Sequence, residues 1–358
     1  MKIPKMAVRC TSSYGVPSAA KSYRYGMNNP EIKRGVYWLG DQVVRPRLED
    51  DPVYNWFRSK KEHIQSSGQL ITLDNPLGFP VRKVSQIGMF SLYRCETTGF
   101  IYANPRLSTS AIVDYFSGEN AEEYFHGVEA GFDVRSAGVY APQTTYLQKW
   151  LDKGSRILEV GCGTGGFLEI LRDQAGFVVS GVEIAPDAAV YQTRRGVEVQ
   201  QTPIEHFLDT DRFDAVLLWS VMDHFADPLI ALRSCWKNIK PGGYIFIGNV
   251  NIDGFDHQII GSEIRTFRIP SRVNFYNIRA LTEHVKSAGF DIVECRTPGE
   301  LDIQIVRDYW LNGGLNGRTA FLETLLLNDD HDSAALAFQT YLSDNALAGY
   351  QTILAQKR

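Results

Sequence analysis

The sequence predicts an α/β protein whose main domain is doubly wound, with a largely parallel sheet covered by helices on both faces. From about residue 140 onward, short apolar runs alternate with helical patterns. Strands separated by helices of ten or more residues need crossover connections, and these produce a parallel sheet that is buried on both sides. A glycine-rich stretch, residues 159–167, directly follows the first of these apolar runs. It is suited to a sharp turn from a strand into a helix.

The predicted elements of this domain begin with an amphipathic helix over residues 144–151. The closing strand, residues 351–355, is separated from the preceding strand by an insertion over 300–348 with helical patterns at 301–311, 319–327 and 334–342. This insertion is a candidate lid, an oligomer contact or surface decoration. The elements in between are strands at 156–161, 177–183, 197–201, 214–219, 243–249 and 290–296, and helices at 166–174, 187–195, 228–239 and 277–288.

The N-terminal part divides into two predicted units ahead of the main domain, which spans 136–358. Residues 1–70 form an extension without an assigned function, in which 56–64 is a candidate helix. Residues 71–135 form a small subdomain. Its apolar runs at 90–95 and 99–102 flank Glu96-Thr97-Thr98 and predict a β-hairpin, and 108–116 predicts a helix.

The composition excludes several classes of partner. The chain has 358 residues, 44% of them hydrophobic, which suffices for one large or two moderate domains. Its 37 basic and 41 acidic residues give no electrostatic reason to bind a phosphate backbone, so we expect no nucleic-acid partner. An apolar leader region and apolar runs of eighteen residues are both missing from the sequence. We therefore expect a cytoplasmic protein without a membrane partner.

The cysteines predict neither disulfides nor a metal site. Five of them are scattered along the chain without a Cys-x-x-Cys pair. Packing is the expected role of Cys162, Cys235 and Cys295, which lie in the glycine-rich stretch and in apolar patterns.

The glycine-rich stretch predicts a nucleotide-type ligand. A strand that opens a helix through glycines brings bare backbone and free N–H groups against such a ligand. Gly161, Gly163 and Gly166 fit the spacing of a dinucleotide fingerprint, with Glu183 about twenty residues on to hold a ribose. This match is weak by itself.

Further features, at fixed distances along the chain, distinguish a dinucleotide site from other sites for nucleotide-type ligands. Glu159 lies two residues before Gly161, the next strand ends at Glu183, and Lys240-Pro241-Gly242-Gly243 turns into another strand. Together with the segment 221–228, this ordered set resembles the class I S-adenosylmethionine-dependent methyltransferases over residues 140–298. The resemblance implies a Rossmann-like sheet whose last strand is antiparallel, and S-adenosyl-L-methionine as the cofactor.

The same resemblance implies the donor-binding residues. The backbone of Gly161, Gly163 and Gly165 would lie against the amino acid and ribose portions, and Glu159 would orient the loop or meet the ammonium. Glu183 would accept both ribose hydroxyls. The remaining expected contacts are Ile184 with the adenine face, the Ile204 N–H with adenine because Pro203 cannot donate, and Trp219 at the open end of the sheet.

Two histidines are candidate general bases. His224 follows the fourth strand, and His257 lies with Asp256 in an expected polar loop, residues 249–257. Histidine titrates in the range needed to take a proton from an alcohol. An ordering role for His224 and a plain surface loop for His257 remain open. Asn274 stands near the position where related proteins have a histidine.

Residues 94–106 resemble a small zinc-binding module that precedes the catalytic domain in methyltransferases of sugar and natural-product pathways. Thr98 occupies the position of the second cysteine, which implies that the metal site is lost. What remains would be a hairpin that walls the acceptor pocket.

The sequence therefore favours methyl transfer to a small-molecule acceptor. A hydroxyl of a sugar or sugar-containing metabolite is preferred because of residues 94–106 and 297–307, which resemble segments of methyltransferases from such pathways. An Asp/Asn-Pro-Pro-aromatic signature for nucleic-acid or protein amines is absent after the fourth strand. C- or N-methyl transfer, a macromolecular acceptor, a non-catalytic donor-binding subunit and a homo-oligomer are the alternatives left open.

Overall fold

A seven-stranded sheet forms the centre of the main domain. The computed structural model describes residues 38–39, 42–43, 52–117, 119–261, 264, 266–311, 320–327 and 332–358, so most of the predicted extension lies outside the described residues. The strands are β1 (Trp38–Leu39), β2 (Gln42–Val43), β3 (Leu70–Ile71), β4 (Val81–Ile87), β5 (Phe90–Cys95), β6 (Ile101–Asn104), β7 (Arg106–Leu107), β8 (Arg156–Val160), β9 (Val178–Glu183), β10 (Val199–Gln201), β11 (Phe213–Trp219), β12 (Ile239–Val250), β13 (Asn274–Phe275), β14 (Phe290–Arg296) and β15 (Tyr350–Lys357).

Thirteen α-helices accompany these strands in the described part of the chain. They are α1 (Pro52–Ser66), α2 (Thr109–Tyr115), α3 (Glu119–Ala130), α4 (Phe132–Arg135), α5 (Ala141–Leu147), α6 (Gly166–Ala175), α7 (Ala189–Arg195), α8 (Pro228–Asn238), α9 (Phe255–Ile260), α10 (Ile278–Ser287), α11 (Asp302–Leu311), α12 (Ala320–Leu327) and α13 (Asp332–Asp344). Every such helix is too short or too polar to cross a membrane.

The central sheet has the strand order β10-β9-β8-β11-β12-β15-β14. Strands β8 to β12 run parallel, and β15 is antiparallel to both of its neighbours. The predicted fold class and the antiparallel last strand are both confirmed. Because the parallel strands end at one edge, their following loops collect there, at the place where ligands bind in such folds.

Alternate residues of each strand supply the two faces of the core. Leu158 and Val216 pack with residues of α8 and α10 on one face. Ile157 and Leu217 pack with residues of α5 and α6 on the other. This two-residue period, with both faces apolar, explains why the strands appear in the sequence as nearly continuous apolar runs.

A second sheet, with the order β13-β6-β5-β4, contains the predicted hairpin. Strands β5 and β6 pair antiparallel with Tyr93 opposite Tyr102. The edge strand β13 comes from the main domain and pairs Asn274 with Tyr102. The sequence analysis placed no strand at 81–87 or at 274–275, so this shared sheet was missed.

The insertion before the last strand packs against α9. Its helices α11, α12 and α13 form one apolar cluster with Ile260 of α9, and Phe255 meets Phe338 edge to face with centroids 5.3 Å apart. The predicted polar loop at 249–257 is partly wrong, because α9 begins at Phe255. The insertion therefore holds the helix that carries His257.

Candidate active site

The loop between β8 and α6 has the left-handed backbone that its glycines permit. Gly161, Gly163 and Gly165 have φ values of 70°, 53° and 77°. A Cβ at Gly161 would lie 2.5 Å from Val221 Cγ1, whereas one at Gly163 would meet nothing closer than Phe125 Cε1 at 3.8 Å. Gly161 is therefore needed for close packing against the loop after β11, while the backbone of Gly163 borders open space.

Glu183, the last residue of β9, ties this loop to the next one. Its Oε2 accepts the Gly163 N–H at 2.8 Å, and its Oε1 accepts the N–H groups of Ile184 and Ala185 at 2.7 and 2.9 Å. A carboxylate offers about four lone pairs, so one remains on Oε2. In this arrangement Glu183 has room for one hydroxyl donor, which is fewer than the two ribose hydroxyls expected from the sequence.

Glu159 is buried on β8 beside Glu183, and its Oε2 has no hydrogen-bond partner in the structure. Burial raises the pKa of Glu159 well above its usual range, and the charge of Glu183 raises it further. An ionised carboxylate in such a place needs a cation or a hydrogen-bond donor. The pair of acids at the glycine loop thus fits a ligand that carries an ammonium group and hydroxyls.

The other residues predicted to contact the donor lie at the same edge of the sheet. The side chains of two of them pack against apolar clusters. Ile184 packs against the apolar cluster of the hairpin subdomain, and the Ile204 side chain is buried in the main core. Trp219 is partly buried at the end of β11, and its Nε1 is buried without a hydrogen-bond partner. For Ile204, only backbone is left to face a ligand, as the sequence analysis expected.

His224 is held in the loop after β11. Its Nδ1 lies 2.7 Å from the Ser271 carbonyl oxygen, and its ring meets Phe116 edge to face at 5.4 Å. Because a carbonyl only accepts, Nδ1 carries the proton. Burial lowers the pKa of His224, against the opposing effects of the Ser271 carbonyl and the Glu183 charge. These contacts suit a residue that orders the loop.

A pocket opens next to this loop, at the ends of β11 and β12. Its walls include Asp223, Asn249, His257, Thr266 and Tyr276. We call it the acceptor pocket. The contact between Gly161 and Val221, two residues before Asp223, joins the glycine loop to the segment that forms one wall of the pocket.

His257 belongs to a chain of three hydrogen-bonded side chains at the acceptor pocket. Its Nδ1 lies 2.8 Å from Asp256 Oδ1, and its Nε2 lies 2.8 Å from Thr266 Oγ1. Because the Asp256 carboxylate accepts, Nδ1 carries the imidazole proton, and Nε2 accepts the Thr266 hydroxyl. Asp256 and His257 were predicted from the sequence as candidates, whereas Thr266 was not, because no motif signals it.

Arg106 joins the hairpin subdomain to the main domain. It is fully buried and donates to the carbonyls of Ala103, Ala226 and Val273 and to Asn274 Oδ1. Burial lowers its pKa to about 10. The amide of Asn274 is likewise used, since its Nδ2 donates to the carbonyls of Met222 and Phe225. Although no residue of the hairpin lines the acceptor pocket, Arg106 thus supports Asn274 in its wall.

Thr98 takes part in the turn of the hairpin. Its N–H donates to Cys95 Sγ at 3.4 Å, and its hydroxyl oxygen accepts the Phe100 N–H at 3.2 Å. These contacts close the turn between β5 and β6.

Comparison with known proteins identifies the domain. Residues 130–295 match the family described as "Methyltransferase domain". Ubiquinone biosynthesis O-methyltransferase of Aliivibrio fischeri is 32% identical over 133 residues, which are 35% of this chain and 57% of that enzyme. The protein of the same name from Glaesserella parasuis is 26% identical over 179 residues, or 46% of this chain and 75% of the relative. The chain thus spans little more than half of the Aliivibrio enzyme.

A solved structure of phosphoethanolamine N-methyltransferase 2 from Haemonchus contortus, in complex with S-adenosyl-L-methionine, matches with a TM-score of 0.48 at 16% identity. The match covers 83% of this chain and 74% of that one.

The family match, together with the strand order and the glycine loop, settles the family of the main domain. Residues 130–295 form a class I S-adenosylmethionine-dependent methyltransferase domain, whose cofactor is S-adenosylmethionine.

Proposed function

We propose that this protein transfers the methyl group of S-adenosylmethionine to a hydroxyl of a small-molecule acceptor. One observation carries the proposal. The Asp256–His257–Thr266 chain lies at a pocket lined by Asp223, and Asp223 follows by two residues Val221, which packs against Gly161 of the glycine loop. An alcohol needs to lose its proton as it is methylated, and a positioned histidine is suited to take it.

The donor is assigned to the glycine loop and the two acids. Backbone at Gly161, Gly163 and Gly165 would approach its amino acid and ribose portions, and Glu159 Oε2 would pair with its ammonium. Glu183 would accept a ribose hydroxyl on its remaining lone pair. Ile184, the Ile204 backbone and Trp219 would border the rest. The support is the unpartnered Glu159 oxygen and the open space at Gly163.

The proton would leave through Thr266. When bound, the donor supplies an electrophilic methyl group on a positively charged sulfur. Methyl transfer to the acceptor oxygen would leave a neutral thioether and would release the hydroxyl proton to residues of this chain. The acceptor's hydroxyl proton passes to Thr266 Oγ1 while the Thr266 proton passes to His257 Nε2. Asp256 stabilises the imidazolium that results.

We assign the base to His257 rather than His224. His257 lines the acceptor pocket, and its second nitrogen is oriented by a buried carboxylate. His224 is anchored to Ser271 and Phe116, and its pKa is lowered by burial. His224 is then a residue that orders the loop after β11.

For the acceptor we propose a sugar or sugar-containing metabolite. Support comes from the resemblance of residues 94–106 and 297–307 to segments of methyltransferases from such pathways, and from the polar walls of the acceptor pocket. The matching relatives are named for ubiquinone biosynthesis.

The test uses a metabolite extract of the source cells and S-adenosylmethionine with a deuterated methyl group. After incubation with the protein, mass spectrometry should find a labelled methyl ether whose formation stops in a His257→Asn variant. Donor consumption without a labelled product, or a label on nitrogen or carbon, contradicts the proposal.

A further inference from the structure

The end of the insertion lies against the acid that orients His257. A Cβ built on Gly349, the last residue before β15, would lie 2.5 Å from Asp256 Cγ and closer still to Oδ1. The φ of Gly349 is outside the left-handed region, so glycine is needed here for space and not for backbone conformation. The Asp256 carboxylate therefore occupies the place that any side chain at position 349 would take.

The tripeptide that ends in Gly349 also fastens the start of α9. The carbonyl oxygens of Leu347 and Gly349 accept the N–H groups of Phe255 and Asn251, each at 2.8 Å. Because Phe255 is the neighbour of Asp256 in the chain, these bonds fix the backbone of Asp256 relative to Gly349. The close approach of the carboxylate to Gly349 is thus set by the fold.

Two buried side chains of the insertion support Gly349. Asp302 of α11 accepts the Gly349 N–H on Oδ1, and its Oδ2 accepts Gln339 Nε2 of α13 at 2.8 Å. Asp302 and Gln339 are 2% and 7% exposed. A buried carboxylate whose two oxygens both accept hydrogen bonds is held in one place. The packing of α11 against α13 therefore sets the position of Gly349.

One oxygen atom links this support to the base. Asp256 Oδ1 accepts the backbone N–H of His257 at 2.7 Å and lies 2.8 Å from His257 Nδ1. The same oxygen is the atom that a side chain at Gly349 would displace. A displacement of Oδ1 would therefore remove the hydrogen bond that orients the imidazole ring.

We propose that Gly349 and Asp302 are positioning residues for the base. Asp302 holds Gly349 in place, and the absence of a side chain on Gly349 lets the Asp256 carboxylate reach His257 Nδ1. This inference rests on the proposed function for the role of His257. It assigns to the insertion the support of the active site.

The first test observes His257 without turnover. Protein labelled in its histidine ring nitrogens is examined by long-range proton–nitrogen NMR at mildly alkaline pH, and His257→Asn assigns the signal. In the parent, Nδ1 of the neutral ring should carry the proton. Gly349→Ala should shift the proton toward Nε2, because the displaced Asp256 carboxylate no longer accepts from Nδ1.

A second variant reaches the same contact without a clash. Asp302→Ala removes the acceptor of the Gly349 N–H and adds no atom near Asp256. It should shift the His257 proton in the same direction and to a smaller extent. If Gly349→Ala fails to fold, Asp302→Ala carries the prediction.

The second test measures the rate of labelled methyl ether formation from the metabolite extract. Gly349→Ala should lower this rate about 10- to 100-fold, the loss expected when a reacting group is misplaced. The affinity for S-adenosylhomocysteine should be unchanged. In an Asp256→Ala background, which removes the clash, Gly349→Ala should cause no further loss, because the two residues act through one contact.

Gly243→Ala is the matched control for lost stability. A Cβ at Gly243 would lie 2.7 Å from Ile239 Cγ2 and 2.8 Å from the Asp214 carbonyl oxygen, in the first half of β12. This variant should lower the melting temperature and leave the His257 signal and the rate unchanged.

Three results overturn the inference. They are an Nδ1 proton that stays in place in both insertion variants, a further loss of rate in the double variant, and a change of the His257 signal in the Gly243→Ala control. The NMR test also separates this inference from the proposed function. If the extract yields no methyl ether while the His257 signal changes in the insertion variants alone, the positioning role stands and the proposed function fails.

Discussion

The glycine loop and the acceptor pocket lie side by side at one edge of the sheet, but the chain builds them differently. The loop is one contiguous crossover from Glu159 to Glu183, and its contacts are mostly backbone N–H groups and two acids. The pocket consists of side chains from separate segments, which the sheet edge, α9 and β13 bring together. The loop depends on glycine at positions 161 and 165, where a Cβ would clash, whereas the pocket depends on the side chains of separate segments.

Loss of the Glu183 carboxylate should have the largest effect on the loop. Glu183→Ala removes a partner of the donor and also frees the Gly163 N–H, so the affinity for S-adenosylhomocysteine should fall about 100-fold or more. Calorimetry measures this, with the exposed Glu198→Ala as a control for lost charge. An affinity within about threefold of the parent would show that Glu183 does not hold the donor.

Removal of the base tests the pocket alone. His257→Asn should reduce kcat by about 100-fold or more and leave donor affinity unchanged, because its ring bonds Asp256 and Thr266 and lines the acceptor pocket. Thr266→Val should show the same loss, and a normal rate in that variant would exclude the relay.

A substitution of Arg106 tests how far the glycine loop and the acceptor pocket are independent of each other. Arg106→Met leaves the Ala226 carbonyl and Asn274 Oδ1 without their donor, so stability should fall by about 3 kcal/mol. Below the melting transition, donor binding should persist while acceptor turnover is lost. Denaturant unfolding measures the loss of stability, and calorimetry measures donor binding. Loss of donor binding together with acceptor turnover would show that the two regions are not independent.

Glu159 should give the smallest effect, and the size of this effect depends on pH. Burial holds the pKa of Glu159 in the folded protein above its ordinary value of 4.5. Between these two values the unfolded chain loses a proton that the folded protein keeps, so the stability of the free protein falls as pH rises through this window. Glu159→Gln should abolish this dependence and be more stable than the parent at neutral pH.

The same variant should bind the donor roughly tenfold more weakly, the loss expected for one hydrogen bond to a charged group. The parent's donor affinity should decrease as pH is lowered, since protonation removes the charge that pairs with the ammonium. Melting curves and calorimetry over a pH series measure both. A Gln variant that is less stable than the parent at neutral pH would show that Glu159 makes a structural contact.

The sequence predicted the loop better than the pocket, and the reason is physical. Left-handed backbone at Gly161 and close packing at Gly165 require glycine, so the turn is visible as a motif. The alternation of apolar runs predicted the parallel sheet and its helices because both faces are buried.

The geometry of the side chains was harder to predict from the sequence than the elements of the fold. The three backbone N–H groups on Glu183 depend on how the loop folds back, and no pattern signals them. Thr266 meets His257 only because α9 packs on the insertion, and β13 joins the hairpin sheet across the domain boundary. Such contacts between distant segments follow from the fold and leave no local spacing in the sequence.

The most direct test of the central claim is a calorimetric titration of the purified protein with S-adenosylhomocysteine and, in parallel, with NAD. The glycine spacing by itself permits either ligand, while Glu159 and the strand order favour the first. We predict one S-adenosylhomocysteine site per chain, which NAD neither occupies nor competes for. Saturable binding of NAD that S-adenosylhomocysteine displaces, or no binding of S-adenosylhomocysteine at all, would contradict this account.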